Sequence, residues 1–444
     1  MENTLPKNWV EIKLSDISLI QSGGTPSRSN KDYWNGNIPW LKISDFKSLY
    51  INEAEEFITD LGLQNSSARI FKSGTILFTI FASIGKIGIL NFDASTNQAI
   101  AGITPTDKVS HKYLVYSLKE LSESVQNEGK GVAQKNINQQ ILKDTLIPLP
   151  PLAEQERIVA KLDALFAQHE KMKQALDKIP QLLKDFRQQV LTQAVTGKLT
   201  EQWRERKELE EIHLNFDQNP KGDLKKFRNE FGLNFKYDSK GWVKTNFFNL
   251  CILKRGFDLP ANSRDLNGVY KVASSSGASG NHSEYKLEYG LIVGRSGSVG
   301  KTFWIDEKFW PLNTTLYSEN FNNNYPKFVY YYLLNFDFMK YSSSTAVPTL
   351  NRNNFIDIEV NFPSLEEQQE IVSRVESLFA KADAIEARYQ TLKAKIDSLP
   401  QALLHKAFKG ELVPQLPTDG DAKELLAEIM QLKEEAKARK GKKK

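Results

Sequence analysis

The chain is poor in cysteine and in long hydrophobic runs. Cys251 is the single cysteine among 444 residues, so no intramolecular disulfide can support the fold. This composition is typical of proteins from a reducing compartment. No apolar run approaches the ~20 residues that span a membrane, and residues 1–10 lack the apolar core of a signal peptide. These absences exclude a disulfide-rich secreted domain and predict a soluble, cytoplasmic protein.

Catalytic motifs are also missing. The five histidines show no metal-ligand spacing, which predicts no metal site. Residues 294–302 resemble a P-loop, but that motif requires glycine where Arg295 stands and a helix afterwards. The next residues, Phe303 to Ile305, are typical of a strand instead. The sequence therefore predicts no catalytic residues and no cofactor bound by this chain, and a nucleotide-dependent enzyme is the least favoured hypothesis.

Positive charge is present but is not concentrated in one globular part. The net charge is +5, yet residues 1–150 carry 15 basic and 15 acidic residues, and residues 241–360 carry 12 and 10. The most basic run is the C-terminal end, residues 437–444. Such a run can hold polyanions loosely, but a solvated end is the favoured interpretation. Charge alone does not identify a nucleic-acid binder.

A duplicated segment organises the rest of the chain. Shifting the sequence by 213 residues lays residues 150–199 on residues 363–412 without a gap. In both copies, apolar or bulky residues recur in steps of four and three, from Ile158 in the first and Ile371 in the second. This 3.5-residue period is typical of a coiled-coil seam, in which His169 would take a packed position. The pattern predicts two long helices that pair in antiparallel orientation.

The helical copies separate two globules. Both globules contain short apolar segments bounded by Gly, Ser, Asn and Asp, as strands are. The predicted fold class is α+β, with two mixed α/β domains, two long antiparallel coiled-coil helices and a pseudo-twofold internal repeat. The expected parts are a first globule (1–149), a first helix (150–200), a charged connector (201–240), a second globule (241–360), a second helix (361–413) and an amphipathic, basic C-terminal tail (414–444).

Local signals refine the helices and the first globule. Strands are expected at residues 38–43, 75–80 and 87–90, and a helix is expected near residues 111–124. Pro180 lies inside the first long helix, and the unbroken seam predicts a kink there rather than a loop. Ser364 and Glu367 fit a capping box. Gly197 and Gly410 fall where helices end in a left-handed residue.

These motifs resemble a known family, the specificity (S) subunits of type I restriction–modification systems. The run Pro-Leu-Pro-Pro-Leu-Ala-Glu-Gln-Glu-Arg-Ile at 148–158 is similar to the start of that family's conserved-region helix, as is Phe-Pro-Ser-Leu-Glu-Glu-Gln-Gln-Glu-Ile at 362–371. Residues 194–200 and 407–412 resemble the ends of those helices. Residues 74–86 resemble the hairpin of a target-recognition domain. The doubled order covers nearly the whole chain, which makes the resemblance specific.

The resemblance implies a function and partners. Residues 1–149 and 241–360 would be two target-recognition domains, each reading half of a bipartite site in double-stranded DNA. The partners would be two modification (M) subunits, which bind S-adenosylmethionine and methylate adenine, and restriction (R) subunits, which translocate and cleave DNA. The chain itself would be a non-catalytic subunit in the prokaryotic cytoplasm, without a membrane partner.

Polar residues on glycine-rich turns are the candidate DNA contacts, because backbone and amide groups can approach a duplex closely there. The alternative for each is an ordinary solvated turn. Arg28, Arg255, Arg295 and Arg352 rank highest, since arginine can bond guanine through two hydrogen bonds. The candidates are Thr25, Ser27, Arg28, Ser83, Lys86, Lys130, Gln134, Lys135 and Asn136 in the first globule, and Lys254, Arg255, Ser275, Arg295, Ser296, Ser298, Lys301, Asn351 and Arg352 in the second.

The strongest alternative from another class is a structural or adaptor protein. In that case the coiled coil would be a scaffold and the two globules would bind proteins. Salt dependence separates the alternatives, because phosphate contacts release counterions and DNA affinity then falls steeply with salt.

Overall fold

Contacts between residues divide the chain into two units in the computed structural model. The first unit comprises Met1–Leu176 together with Thr391–Lys444, and the second is Asp177–Gln390. The structure describes residues 5–81, 83–128, 138–206, 216–265, 267–343 and 348–441. Each unit therefore contains one globule and parts of the long helical segments.

The chain is rich in short strands up to the first long helix. The order of elements is β1 (Val10–Lys13), α1 (Leu14–Ile17), β2 (Ser18–Ser22), β3 (Trp34–Leu41), β4 (Tyr50–Ile51), β5 (Glu56–Ile58), α2 (Asp60–Gln64), β6 (Ile76–Thr79), β7 (Ile87–Leu90), β8 (Ser95–Thr96), β9 (Ile100–Pro105), α3 (His111–Glu128), α4 (Gln139–Asp144), β10 (Leu146–Leu149) and α5 (Leu152–Leu176). Three predicted strands are confirmed, the one at 38–43 as β3, the one at 75–80 as β6 and the one at 87–90 as β7. The helix predicted at 111–124 is confirmed as α3.

A second set of strands follows a pair of short helices, and a 44-residue helix comes after them. The elements are α6 (Ile179–Thr196), α7 (Glu201–Glu205), α8 (Gly222–Phe231), β11 (Phe235–Tyr237), β12 (Val243–Asn246), β13 (Ile252–Arg255), β14 (Tyr270–Ser274), β15 (Gly277–His282), β16 (Gly290–Gly294), β17 (Thr302–Ile305), β18 (Phe309–Pro311), β19 (Thr315–Asn320), α9 (Pro326–Leu334), β20 (Glu359–Phe362), α10 (Leu365–Phe408) and α11 (Ala422–Gly441). The expected strand after residue 302 is confirmed as β17, which agrees with the rejection of a P-loop.

The first unit contains three sheets. Their strand orders are β2-β9-β6-β7-β4, β5-β3-β8 and β1-β10. The strand β6 is buried along its whole length, and its Ile76 and Phe78 lie in the main core of the unit. A buried central strand with apolar residues on both faces explains why this segment reads as a continuous hydrophobic run.

The second unit repeats this topology strand by strand. Its sheets have the orders β13-β19-β16-β17, β15-β14-β18 and β11-β12-β20. The pairing of β14 with β18 is parallel, as is the pairing of β3 with β8 in the first unit. Among the described residues, the edge strands β4 and β11 are the exceptions, since neither has a counterpart in the other unit. The predicted α+β class and internal repeat are therefore confirmed.

In the first unit, α5 packs antiparallel against the C-terminal part of α10. Ile158, near the start of α5, lies in one buried cluster with Leu404. Further along α5, Nε2 of His169 lies 2.9 Å from the carbonyl oxygen of Ile396. Residue numbers rise along α5 while those of the partners fall along α10, as antiparallel helices require. The packed position predicted for His169 is confirmed.

In the second unit, α6 packs antiparallel against the N-terminal part of α10. Nη2 of Arg187 donates to Asp383 at 2.7 Å and to Glu386 at 2.8 Å. Just beyond the end of α6, the carbonyl oxygen of Leu199 accepts from Nη1 of Arg374 at 2.9 Å. The predicted helix pairing is thus present inside each unit.

The predicted seam is not buried throughout. Met172, Ile385 and Leu392 occupy seam positions but are 41%, 49% and 47% exposed. An α-helix has 3.6 residues per turn, so a strict 3.5-residue pattern drifts by ~20° per heptad unless the helices supercoil. Leu176, Ala382 and Tyr389, at the alternate seam positions in the middle of the helical segments, are nevertheless buried, so one side of the seam stays closed while the other is partly exposed.

The first long helical segment is two helices rather than one. The helix α5 ends at Leu176 and α6 begins at Ile179, with a two-residue turn between them. Pro180 has no N–H to donate to the carbonyl four residues earlier, which is that of Leu176. Lys178 keeps right-handed helical backbone angles, so the interruption is short, but the expectation of one kinked helix is wrong. Pro400, in contrast, lies inside the continuous helix α10.

A buried glutamate and glutamine fix the start of each long helix. Glu154 and Gln155 are fully buried in the first unit, and Glu367 and Gln368 are nearly so in the second. The side-chain nitrogens of both glutamines donate to a preceding proline carbonyl at 2.9 Å. Ser364 accepts from the Glu367 amide at 3.4 Å, so its half of the predicted capping box is confirmed.

The other half of that capping box is replaced by a buried network. The Glu367 carboxyl group accepts from Nε1 of Trp242 at 3.1 Å, from Oγ1 of Thr200 at 2.6 Å and from Arg204. These donors come from distant parts of the chain, so local spacing could not predict them. Gly197 and Gly410 have φ of +75° and +76°, which confirms the left-handed helix ends.

The C-terminal segment is integrated into the first unit. Leu425 and Ile429 of α11 lie in the core formed by the first globule. Nζ of Lys433 donates to the carbonyl of Ser15 at 2.7 Å, and Arg157 pairs with Asp419. Leucine and isoleucine four positions apart share one helix face, so α11 has an apolar side to bury. The predicted tail is therefore largely part of the fold. None of the described helices is long and apolar enough to cross a membrane.

Candidate nucleic-acid interface

The hairpins β6–β7 and β16–β17 close with the same backbone hydrogen bonds. In the first unit, the amide of Thr79 donates to the carbonyl of Lys86 at 3.0 Å. In the second, the amide of Gly294 donates to the carbonyl of Lys301 at 2.7 Å. The described residues of the two loops closed by these bonds, 80–81 with 83–86 and 295–301, are called the hairpin turns.

The hairpin turns present a serine and a lysine at matching positions. Ser83 corresponds to Ser298, and Lys86 corresponds to Lys301. Both lysines are exposed, and neither forms an ion pair with a residue that the structure describes. An unpaired, exposed ammonium at the end of a hairpin turn is suited to a phosphate contact.

A polar loop lies beside each hairpin turn. In the first unit, Oγ1 of Thr25 donates to Oε1 of Gln98 at 2.5 Å, in the loop after β2. In the second, the side-chain amide of Asn313 donates to the carboxylate of Asp258, in the loop after β13. The turn that contains Gln98 also contacts the hairpin turn, because the backbone amide of Ile80 donates to the carbonyl oxygen of Ala99 at 2.8 Å.

These contacts bring three segments together in each unit. The bond from Ile80 has an equivalent in the second unit, where the backbone amide of Arg295 donates to the carbonyl oxygen of Thr314 at 2.8 Å. We name the resulting surface the loop face. It comprises residues 23–28, 80–81, 83–86 and 97–99 in the first unit, and residues 256–258, 295–301 and 312–314 in the second.

Two further predicted segments join the loop face of the second unit. Oγ of Ser275 accepts from the amide of Ser298 at 3.5 Å. Ser296 forms an isolated bridge with Thr349, which precedes Asn351 by two residues. The structure thus brings Ser275, Ser296, Ser298 and the segment ending at Asn351 close together. Asn351 itself accepts from the backbone amide of residue 353 at 3.1 Å.

Arg28 of the first loop face rests on an aromatic pair. Its guanidinium carbon lies 3.7 Å from the ring centroid of Trp34 and 5.0 Å from that of Trp40. Nη1 of Arg28 lies 2.6 Å from Oε2 of Glu56. The neighbouring Ser27 is exposed and accepts from the Trp34 indole at 3.1 Å through its carbonyl.

Three predicted basic residues of the second unit form ion pairs within that unit. Lys254 pairs with Glu319 at 2.7 Å, and Arg255 pairs with Asp258 at 3.0 Å. The hydrogen bond from Lys254 to Glu319 holds the pKa of Lys254 above its usual range. Exposed pairs such as these contribute little to stability and can exchange partners.

Arg352 has a more structural environment. Its Nη1 donates to Asp223 of α8 at 2.7 Å and to the carbonyl of Leu253 at 2.9 Å. Only a quarter of its side chain is exposed. These bonds attach α8 to β13, so Arg352 is less available to bases than Arg28 or Arg295. The remaining predicted residues Lys130, Gln134, Lys135 and Asn136 lie outside the described part of the chain.

The thiol of Cys251 and the possible metal ligands bear on nucleophilic and metal chemistry. Burial raises the pKa of the Cys251 thiol, which lies in the core of the second unit. A buried thiol with a raised pKa is a poor nucleophile. In the described ranges, no three His, Cys, Asp or Glu side chains are placed to hold a metal ion. The loop faces can instead donate and accept hydrogen bonds.

Sequence reasoning missed Trp34, Glu56, Gln98 and Asn313. Gln98 and Asn313 occupy equivalent places in the two loop faces, but both lie in turns without glycine and were not selected. Trp34 and Glu56 belong to strands, where turn chemistry gives no signal. A search for polar residues at equal distances from the matched Lys86 and Lys301 would have found the Gln98 and Asn313 pair.

Known proteins share this architecture. Residues 6–181 and 239–394 match a family described as the type I restriction modification DNA specificity domain. The specificity subunit of the type I restriction enzyme EcoBI from Escherichia coli is 31% identical, over 92% of this chain and 87% of that protein. The EcoDI specificity subunit, also from Escherichia coli, is 29% identical over 93% and 90%.

A solved structure agrees at the level of the fold. The HsdS subunit from Thermoanaerobacter tengcongensis superposes with a TM-score of 0.60 at 18% identity, covering 92% of this chain and 98% of that one. Two copies of one specificity domain, each joined to a paired helix, define a sequence-reading subunit. The chain belongs to the specificity subunits of type I restriction–modification systems. The adaptor alternative is not favoured.

Proposed function

We propose that this chain reads a bipartite site in double-stranded DNA, one half with the loop face of each unit. The observation that supports this most is the repetition of one backbone frame with different side chains at corresponding places. Thr25 and Gln98 stand where the second unit has Asp258 and Asn313. A shared frame with divergent hydrogen-bonding groups is what two readers of different half-sites require.

The proposed DNA contacts follow from the environment of each predicted residue. Lys86 and Lys301 bind phosphates, because they are exposed and unpaired among described residues. Arg28 and Arg295, with the serines and Asn351, face bases or sugars. Lys254 and Arg255 change partners from carboxylates to phosphates on binding. Arg352 mainly anchors α8, and Lys130, Gln134, Lys135 and Asn136 remain candidates on sequence grounds.

The chain acts in this proposal as a non-catalytic subunit in the prokaryotic cytoplasm. It positions two M subunits, which bind S-adenosylmethionine and methylate adenine, and R subunits, which cleave DNA. No cofactor is bound by this chain. This assignment rests on the family and on the buried state of the Cys251 thiol.

Binding and methylation assays test the proposal. The purified chain alone should transfer no methyl groups to DNA, whereas the complex with its M subunits should do so. DNA affinity of that complex should fall steeply between 50 and 200 mM salt, because several phosphate contacts release counterions. Methyl transfer by the chain alone would contradict the non-catalytic role. An affinity that does not depend on salt would favour the adaptor alternative.

A further inference from the structure

The first unit holds an arginine on a rigid aromatic support. Trp34 and Trp40 meet edge to face, with centroids 5.1 Å apart and an interplanar angle of 89°. Their indole nitrogens donate to the carbonyls of Ser27 at 3.1 Å and Gly24 at 2.9 Å. Both rings are therefore fixed to the loop that carries Arg28. The guanidinium rests over Trp34, which limits the directions in which its N–H groups can point.

Glu56 restrains the same guanidinium from the side. It belongs to β5, opposite Trp40 in the strand register, so its backbone position is fixed. Its Oε2 lies 2.6 Å from Nη1 of Arg28, but among described residues that oxygen accepts no hydrogen bond of good direction. The contact is thus an ion pair that does not use the full fork of the guanidinium. The remaining N–H groups of Arg28 stay available.

The carboxylate of Glu56 stays charged near neutral pH. Partial burial acts to raise the pKa of Glu56, but contacts with Arg28 and Lys42 outweigh burial and lower it. Lys42 donates to Oε1 of Glu56 at 2.9 Å and also pairs with Glu55 at 3.3 Å. Glu55 also lies 3.6 Å from Lys47, which pairs with Glu53 at 3.2 Å, so three cations are matched by three anions in this cluster.

This charge balance argues against a phosphate site. A phosphate contact is favoured by uncompensated positive charge, which Lys86 offers and this cluster does not. Arg28 also differs from the ion-paired Lys254 and Arg255 because its guanidinium is held over the Trp34 ring, which restricts a change of partner. The Arg28 side chain is nevertheless 54% exposed, so it can reach a ligand. A rigid, exposed guanidinium fork whose charge is already compensated matches a neutral partner with two adjacent acceptors. The N7 and O6 atoms of guanine form such a pair in the major groove.

We propose that Arg28 binds a guanine in the first half-site, with Trp34 supporting the guanidinium and Glu56 acting as a positioning residue. This inference rests on the proposed DNA-reading function and adds the identity of one base. The corresponding loop of the second unit continues from Gly256 with Phe257 and Asp258, so the site is not repeated there. Only one position of the recognition sequence depends on it.

Competition between duplexes tests the proposal. The recognition sequence of the complex with M subunits is mapped first, and duplexes are then made with each base pair at each first-half position. The wild-type complex should require guanine at one of these positions. Arg28→Lys and Arg28→Ala should reduce that preference by about tenfold to a hundredfold, as expected for the loss of a bidentate contact. Preferences in the second half should not change.

Two further variants separate positioning from folding. Glu56→Gln keeps the shape but removes the charge, so it should weaken preference at the same position and leave the melting temperature nearly unchanged. Lys72→Ala is the matched control, because Lys72 is an exposed cation of the same unit paired with Asp93. It should change no base preference.

Several outcomes would overturn the inference. If both Arg28 variants keep every base preference, Arg28 does not read a base. If they weaken all duplexes equally, Arg28 contacts phosphate. If Arg28→Ala does not fold, Arg28→Lys and Glu56→Gln decide, and unchanged preference in both refutes the site. If the wild-type complex itself shows no bipartite sequence, the proposed function fails, which is a distinguishable result.

Discussion

Nε1 of Trp9 donates to Oε2 of Glu154 at 3.0 Å, which attaches the segment before β1 to the first turn of α5. The bond from Trp242 to Glu367 in the second unit is its counterpart, at 3.1 Å. Each globule is therefore tied to its helix by an indole and a buried carboxyl group. These bonds fix each globule to the start of its helix.

The first prediction concerns this attachment. Glu154→Ala should lower the free energy of unfolding by about 1–3 kcal/mol, because the buried indole N–H of Trp9 loses its acceptor. The side chains of Asn8, which is half-buried, and Gln415, which is exposed, also donate to Glu154. Chemical denaturation of the chain in complex with its M subunits measures the effect. The exposed neighbour Glu156→Ala is the control, and an equal loss in both variants would contradict the role of the buried group.

The second prediction concerns the matched lysines. Lys86→Ala and Lys301→Ala should each reduce the slope of log affinity against log salt by about 1, since each removes one phosphate contact. Binding should weaken by similar factors for all DNA sequences. Titrations at several salt concentrations measure the slope, with Lys72→Ala as a control of equal charge change. An unchanged slope in both lysine variants would place the phosphate contacts elsewhere.

The third prediction concerns acid sensitivity of the C-terminal segment. The hydrogen bond from Arg157 lowers the pKa of Asp419, outweighing the opposing effect of burial. A lowered folded-state pKa stabilises the protein above the unfolded carboxyl pKa of ~3.9, and this contribution disappears as pH falls through the folded value. The protection of residues 422–433 against hydrogen exchange, relative to the intrinsic rate at each pH, should therefore fall below about pH 4.

Asp419→Asn provides the comparison for that experiment. It should accelerate exchange in the same segment at pH 7. It should also remove most of the difference in protection between pH 7 and acid. Lys72 and Asp93 form an exposed pair whose removal by Asp93→Asn should leave residues 422–433 unaffected. Strong protection of the segment in Asp419→Asn at pH 7 would show that the apolar face of α11 alone holds it.

The fourth prediction concerns the independence of the two readers. Replacing residues 1–149 with the first domain of another specificity subunit should change one half-site and leave the other intact. Leu425 and Ile429 of α11 lie in the core of that globule, so residues 422–441 should be exchanged with it. The double exchange should give a higher melting temperature than the single one. A double exchange that alters both half-sites would show that the readers are coupled.

Repetition in the sequence was sufficient to predict the architecture. The seam beginning at Ile158 and Ile371 predicted helix pairing, and Gly197 and Gly410 predicted the helix ends. These features depend on local periodicity and on backbone angles that glycine adopts. Pro180 and Pro400 show the limit, because one proline lies where a helix breaks and the other lies inside a continuous helix. Packing around each proline decides between these outcomes.

The candidate interface was less predictable for the same reason. Glycine-rich turns revealed the hairpin turns and the loop with Arg28. The partners Trp34 and Glu56 come from strands brought near by tertiary folding, so no local pattern indicated them. Arg352 had a suitable local pattern, but its ion pair with Asp223 is set by the docking of α8. Long-range contacts therefore decide which basic residues are free to bind.

The most direct test of the account is a map of methylated adenines in cells that carry this chain and its M subunits. The account predicts one bipartite recognition sequence, with two fixed half-sites separated by an unread spacer of constant length. Methylation at this recognition sequence should disappear when the gene for the chain is deleted. A single continuous recognition sequence, or methylation that persists without the chain, would contradict the claim that its two units read DNA.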